Sequence, residues 1–243
     1  MKFISSVYNT IRFWTLIVFL TIVLGAIATL GGFFDRSGNF SHKIAQQWSR
    51  LICRLNGIHV ELTGLENVRL NEAQVFIANH QSYFDIFALS GYLPVQIRWM
   101  AKSILFKIPL FGLAMKSAGY ISVNRENRKK AYESFLQAIE KLNTGSSIVI
   151  FPEGTRSLDY KVGEFKKGGH LLAIRSQKPM VPVTIIGTGK IIKKGSGIIH
   201  PGPVKIIISP AIEASNISSK EGETALNTIR EIISENYSKH ANN

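Results

Sequence analysis

From residue 57 onward, short apolar runs alternate with longer stretches in which apolar residues recur every three or four positions. The short runs predict strands near residues 60–63, 75–79, 97–100, 120–124, 147–151, 181–186 and 204–209. The longer stretches predict helices near 84–91, 128–142, 167–176 and 222–238, with a broken helix over 102–116 around Pro109-Leu110-Phe111-Gly112. Strands alternating with helices predict an α/β fold with a mainly parallel sheet flanked by helices. No repeat, low-complexity tract or long linker divides residues 57–243, so they read as one domain.

The amino-terminal pattern is different. Residues 13–34 carry no charge and are flanked by Arg12 and Asp35. A helix of that length reaches across the hydrocarbon layer of a bilayer. Three readings stand: a cleaved signal peptide with Ala26-Ile27-Ala28 as its cleavage site, a single span, or a helical hairpin lying in one leaflet and broken near Gly31-Gly32. In residues 41–55, Ile44, Trp48, Leu51, Ile52 and Leu55 fall on one helical face, and Lys43, Gln47, Arg50 and Arg54 lie largely off it. That stripe suits an interfacial helix, which favours the hairpin; it equally suits a helix packed on the domain's own core. On either reading, residues 1–56 form a hydrophobic and amphipathic membrane anchor, and residues 57–243 a catalytic domain.

Charge sharpens the picture. The net charge is +13 over 243 residues, and no acidic residue lies between Phe165 and Ile212. Lys166, Lys167, Arg175, Lys178, Lys190, Lys193, Lys194 and Lys205 fall in that stretch. Such a surface attracts anionic membrane lipid or acidic protein. Nucleic acid is not expected as a partner, because the basic residues alternate with apolar ones and no nucleic-acid module is visible. Cys53 is the sole cysteine, so no intrachain disulfide forms, which fits the cytoplasmic face of the inner (plasma) membrane.

Candidate chemistry sits at the ends of the expected strands. Asn79-His80-Gln81-Ser82-Tyr83-Phe84-Asp85 follows the second strand, and Phe151-Pro152-Glu153-Gly154-Thr155-Arg156-Ser157 follows the fifth. In open α/β sheets, the carboxyl ends of strands gather at the edge where ligands bind. His80, with a reference pKa of about 6.5, suits a general base, and Asp85 would hold its other ring nitrogen. A spacing of five requires the pair to straddle a turn entering a helix. Ser82-x-x-Asp85 also reads as a capping box, which would make Asp85 a helix-start residue. Ser82 lacks a nucleophile elbow, so His80 is expected to activate a substrate hydroxyl instead. Arg125 and Arg156 are candidates for phosphate recognition, and Lys102 for a further cation. Gly154 would allow close backbone approach, and Glu153 could accept hydrogen bonds from substrate hydroxyls. His170 reads as structural. No metal-ligand spacing and no glycine-rich nucleotide loop is visible, so no cofactor is expected.

Four motifs in order carry a family resemblance. Asn79, His80 and Asp85 match Asn-His-x-x-x-x-Asp; Gly119 to Arg125 match a glycine-led strand ending in arginine. Phe151 to Ser157 match Phe-Pro-Glu-Gly-Thr-Arg-Ser in full, and residues 181–187 match a Val-Pro-Val-type strand. The segment from Ala101 to Pro109, with Lys102, resembles a further lysine-containing stretch. The chain thus resembles the glycerolipid acyltransferases, most closely those acting on 1-acylglycerol 3-phosphate (lysophosphatidic acid). It departs from many of them in carrying Asn124 before Arg125 where they have aspartate.

That resemblance implies an α/β acyltransferase fold, with an amino-terminal two-helix membrane motif in some members. It implies that His80, oriented by Asp85, deprotonates the sn-2 hydroxyl of lysophosphatidic acid. The hydroxyl would attack the thioester of acyl-CoA or acyl carrier protein, giving phosphatidic acid without a metal or organic cofactor. Lys102, Arg125, Glu153, Gly154, Thr155 and Arg156 are the implied substrate-binding residues. Another lysolipid acceptor is the nearest alternative. A non-catalytic lipid-binding relative would carry a damaged His80 or Asp85, and both are intact.

Overall fold

The computed structural model describes residues 2–158, 161–166, 168–215 and 217–241. Two helices lead the chain, α1 (Lys2–Phe34) and α2 (Asn39–Leu55). Then follow β1 (His59–Thr63), β2 (Val75–Ala78), α3 (Phe84–Tyr92), β3 (Ile97–Lys102), α4 (Phe111–Ser117) and β4 (Ile121–Val123). The chain continues through α5 (Arg128–Asn143), β5 (Ser147–Ile150), α6 (Gly168–Ser176), β6 (Met180–Ile186), α7 (Thr188–Ile191), β7 (Pro203–Ile208) and α8 (Ser219–His240). All seven expected strands form. The expected start of α6 at Lys167 lies outside the described residues. The stretch expected as a broken helix is instead the end of β3, a 3-10 turn over Ser103–Lys107, and then α4.

The strand order is β1-β7-β6-β2-β5-β3-β4, parallel except that β6 and β7 run antiparallel. β5 is inserted between β2 and β3, so the loop after β5 emerges beside the loop after β2. Both faces of the sheet are covered, which is why β2 reads as an unbroken apolar run. Phe76 and Ala78 face the cluster shared with α1, α2 and α3, while Val75 and Ile77 face the one shared with α5, α6 and α8.

The two-helix hairpin forms, and the break expected near Gly31-Gly32 falls a few residues later. α1 runs through both glycines to Phe34, and the chain reverses over residues 35–38. Close packing is the physical reason for the glycines: a Cβ on Gly31 would run into the Phe40 ring, and one on Gly32 into Ser117 of α4. The Asp35 carboxylate secures the reversal, accepting from the backbone N–H of Ser37 at 2.9 Å and Phe40 at 2.7 Å.

α1 lies lengthwise over the body. Phe13, Leu20 and Ala28 are buried beneath it, while Ile11, Val18, Phe19, Ile22, Ile27 and Leu30 stay exposed. α2 turns inward: Ile52 and Cys53 are fully buried, Trp48 and Leu51 half-buried, and Leu55 exposed. The buried His42 bonds the Tyr120 hydroxyl through Nδ1 at 3.0 Å and accepts the Ile97 N–H at Nε2 at 3.3 Å. An accepting Nε2 leaves Nδ1 to carry the proton. Burial, aided by the Arg98 charge, pushes His42 down to about 3. Arg98 on β3 is itself fully buried and donates to the Ser37 carbonyl at 3.2 Å and Asn39 Oδ1 at 2.6 Å, pinning the α1–α2 turn to the sheet.

Candidate active site

The loop after β2 is built around one carboxylate. Asp85, in the first turn of α3, is fully buried, and its Oδ2 meets His80 Nδ1 at 2.7 Å. The same oxygen accepts the backbone N–H of Gln81 at 2.7 Å and Ser82 at 2.9 Å. Asp85 therefore both closes the start of α3 and orients the histidine, so the two readings of this residue describe one arrangement. A full capping box does not form, because the Asp85 N–H donates to the Ser82 backbone carbonyl at 3.3 Å and not to its hydroxyl, which donates to the carbonyl of Ile192 at 3.0 Å. That bond also buries Ser82 away from any nucleophilic role. Asn79 anchors the loop's start: its side chain donates to the Ile185 carbonyl and accepts the Ile185 N–H, both at 2.8 Å.

The loop after β5 locks onto this one. Glu153 accepts the His80 N–H at 2.8 Å and the Gly163 N–H at 3.2 Å, so both of its oxygens are engaged by backbone. Burial raises its pKa, against the lowering effect of the His80 amide. The Ser157 N–H donates to the His80 carbonyl at 2.8 Å. Phe151 stacks on the His80 ring at 4.0 Å between centroids and on Trp99 at 5.8 Å, fixing the plane of the imidazole. With Nδ1 given to Asp85, Nε2 is the nitrogen left for a substrate proton.

His80 lines a cavity of about 920 Å³. Lys102, Arg125, Gly154, Thr155 and Arg156 line it too, so six of the eight expected site residues converge there from the ends of four strands. Asp85 and Glu153 stand behind His80 instead. The Arg156 guanidinium lies 3.9 Å over the Tyr83 ring. Arg125 donates to the Gly154 carbonyl at 2.8 Å, while Asn124 Oδ1 accepts the Glu126 N–H at 3.1 Å. Gly154 has φ +73°, and a Cβ there would sit 3.2 Å from Lys166 Nζ. The cavity continues between Leu24 and Gly25 of α1, Ile44 and Trp48 of α2, and Phe111 and Met115 of α4. Charged groups thus stand at one end of a space whose remaining lining is mostly apolar.

Sequence reasoning did not single out Tyr83, Lys166 or Lys194. The lysines appear only as members of the acid-free basic run, and the sole available signal was Lys166 following so soon after the loop that ends at Ser157. Lys194 carries no such signal, since it is brought to the cavity by tertiary folding.

Fold and site together define a class: α/β proteins whose strand-end loops gather a histidine–carboxylate pair and several cations around an apolar cavity. The family profile described as Acyltransferase matches residues 59–186, and the chain belongs to that family. It is 36% identical over 185 residues to a chloroplastic 1-acyl-sn-glycerol-3-phosphate acyltransferase of Brassica napus, covering 75% of this chain and 53% of that protein. A 1-acyl-sn-glycerol-3-phosphate acyltransferase of Helicobacter pylori is 35% identical over 178 residues, covering 71% of this chain and 72% of that protein. The chain spans about half the length of the chloroplast relatives. The crystal structure of the 1-acyl-sn-glycerophosphate acyltransferase PlsC from Thermotoga maritima superposes with a TM-score of 0.86 at 27% identity, covering 98% of this chain and 97% of that one.

Proposed function

We propose that this protein transfers a fatty acyl group from acyl-CoA or acyl carrier protein to the sn-2 hydroxyl of lysophosphatidic acid, giving phosphatidic acid for phospholipid synthesis. The observation that carries the reading is His80, held through Nδ1 by Asp85 at 2.7 Å, at the polar end of a cavity that Lys102, Arg125 and Arg156 also line. Nε2 takes the hydroxyl proton as the oxygen attacks the thioester carbonyl. The thiolate leaves, with a conjugate acid of pKa about 8.5 judged from cysteine, so the step needs little protonation of the leaving group. Lys102, Arg125 and Arg156 supply cationic donors for the acceptor's phosphate, and Gly154 and Thr155 line the same end. The apolar remainder of the cavity suits acyl chains. Positioning and electrostatic stabilisation then carry most of the acceleration, with no metal or organic cofactor in the scheme.

The relatives' names support this acceptor. The exposed apolar face of α1 supports membrane attachment through residues 1–56, on the cytoplasmic face of the membrane, with the net charge of +13 favouring anionic lipid. Its packing along the body from Thr10 to Gly32 supports a helix lying in one leaflet over one that crosses.

The test is acyl transfer to lysophosphatidic acid in detergent micelles with each donor, comparing wild type with His80→Ala. Phosphatidic acid from wild type alone is expected. Equal product from both would remove His80 as the base, and no product from either would redirect the search to other lysolipid acceptors.

A further inference from the structure

The connection from α7 to β7 touches both loops of the site and is itself fastened to α1. It lies beyond residue 186, where the family match ends, and in none of the four motifs. Its ends are bridged, with the His200 N–H donating to the Ile191 carbonyl at 2.8 Å, so residues 192–199 form a closed loop. On the inner side, the Ile192 carbonyl accepts the Ser82 hydroxyl at 3.0 Å, and Lys194 Nζ donates to the Arg156 carbonyl at 2.8 Å and to Thr155 Oγ1 at 3.1 Å. On the outer side, Trp14 Nε1 of α1 donates to the Gly197 carbonyl at 3.1 Å, and the Ile199 N–H donates to Thr10 Oγ1 at 3.1 Å. Phe13 of α1 also meets Phe84, beside Asp85, at 5.4 Å between rings.

We propose that Lys194 is a positioning residue for Arg156, carried on a strap that ties the active site to α1. Resting on the acyl-transfer reading above, this assigns different tasks to the cations around the cavity. Arg125 and Lys194 hold the carbonyls of Gly154 and Arg156, the two residues flanking Thr155. Clamped from both sides, the backbone keeps the Arg156 guanidinium over Tyr83, two residues before Asp85. Arg156, Lys102 and Lys166, with the remaining N–H groups of Arg125, then face the acceptor's phosphate. Two oxygen acceptors, Thr155 Oγ1 and the Arg156 carbonyl, hold the Lys194 ammonium in place. The strap also makes α1 part of the site's scaffold as well as an anchor: its hold on residues 197 and 199 fixes the loop from which Lys194 reaches inward.

A double-mutant cycle in the full-length protein, in micelles, tests this. Lys194→Met keeps the stem and removes the donor. It should raise KM for lysophosphatidic acid about tenfold or more, with a smaller effect on kcat and an unchanged melting temperature. Lys194→Arg should recover part of the loss. In an Arg156→Met background, Lys194→Met should add nothing, because its effect passes through Arg156. Thr10→Val keeps the apolar surface of α1 but removes the acceptor for Ile199; it should raise KM about threefold with vesicle binding unchanged. An inert Lys194→Met, or one whose effect multiplies with Arg156→Met, would overturn the positioning role. An inert Thr10→Val would overturn the link to α1. Wild type inactive on lysophosphatidic acid would instead overturn the functional reading itself.

Discussion

The carboxylate of Glu153 holds the backbone amide of His80, Oε1 to N at 2.8 Å, from beneath the loop that carries the histidine. Its other oxygen holds Gly163, so one buried side chain joins the loop after β2 to two parts of the chain after β5. Glu153 is thereby placed to set where His80 stands.

Glu153→Gln replaces one accepting oxygen with an amide donor that faces an N–H. In steady-state acyl transfer, kcat should fall about tenfold or more, since His80 is the proposed base and small displacements of such a group are costly. The pH dependence has a definite sign. Burial raises the folded-state pKa of Glu153, so its ionisation costs stability as pH rises through that value. Glutamine removes the cost, and the variant should lose less stability than wild type over that rise. An unchanged kcat would show that the loop keeps its geometry without this carboxylate.

Gly154→Ala places a Cβ at a residue with φ +73° and 3.2 Å from Lys166 Nζ. The left-handed conformation costs a non-glycine residue about 1–2 kcal/mol. The Gly154 carbonyl is also the acceptor for Arg125, so the strain falls on the end of the cavity proposed to bind phosphate. We expect a modest fall in melting temperature with a larger loss in kcat/KM for the phosphorylated acceptor. Equal kcat/KM in the two proteins would count against that placement.

His42 is neutral in the fold, pushed down to about 3, and titrates near its ordinary value of 6.5 when unfolded. Between those values the unfolded chain binds more protons, so stability is present above about pH 6.5 and falls with decreasing pH toward about 3. The slope approaches about 1.4 kcal/mol per pH unit for one proton. His42→Gln should flatten it. Denaturant midpoints at pH 7 and pH 5 for both proteins provide the comparison, and parallel losses would assign the acid sensitivity elsewhere.

Ile22 and Ile27 point outward from α1, at 56% and 42% exposure, while Leu20 and Ala28 are buried. Ile22→Asp or Ile27→Asp should therefore weaken binding to anionic vesicles roughly tenfold without unfolding the domain. Cosedimentation measures the first effect and thermal melting the second. Deleting residues 1–56 is the poorer experiment, because it also removes Ile52 and Cys53, which are fully buried in the domain's core. Unaltered cosedimentation of both variants would remove α1 as the lipid-facing element.

Much of the site was legible because its chemistry lies next to strand ends. Asn79-His80 follows β2 and Pro152-Glu153 follows β5. A strand that stops at such residues leaves them at the sheet edge, whatever the rest of the chain does. Glu153 was expected to accept from substrate hydroxyls, whereas its two oxygens hold the His80 and Gly163 amides, partners that reach it only through folding. The hairpin's break was expected near Gly31-Gly32 and falls instead at residues 35–38, for a similar reason. Small residues mark a break or a close approach equally well, and only the positions of Phe40 and Ser117 decide between them.

By itself, the sequence determined the seven strands, the apolar amino-terminal helix and the candidate site residues at the strand ends, because periodicity and local chemistry act over a few neighbouring positions. Tertiary structure decided how those residues meet. Inserting β5 between β2 and β3 brings Phe151 and Glu153 against His80, and the return of the chain after α7 delivers Lys194 to Arg156. Those contacts join positions tens of residues apart, and no local pattern records them. They exist because the sheet's strand order closes the distance.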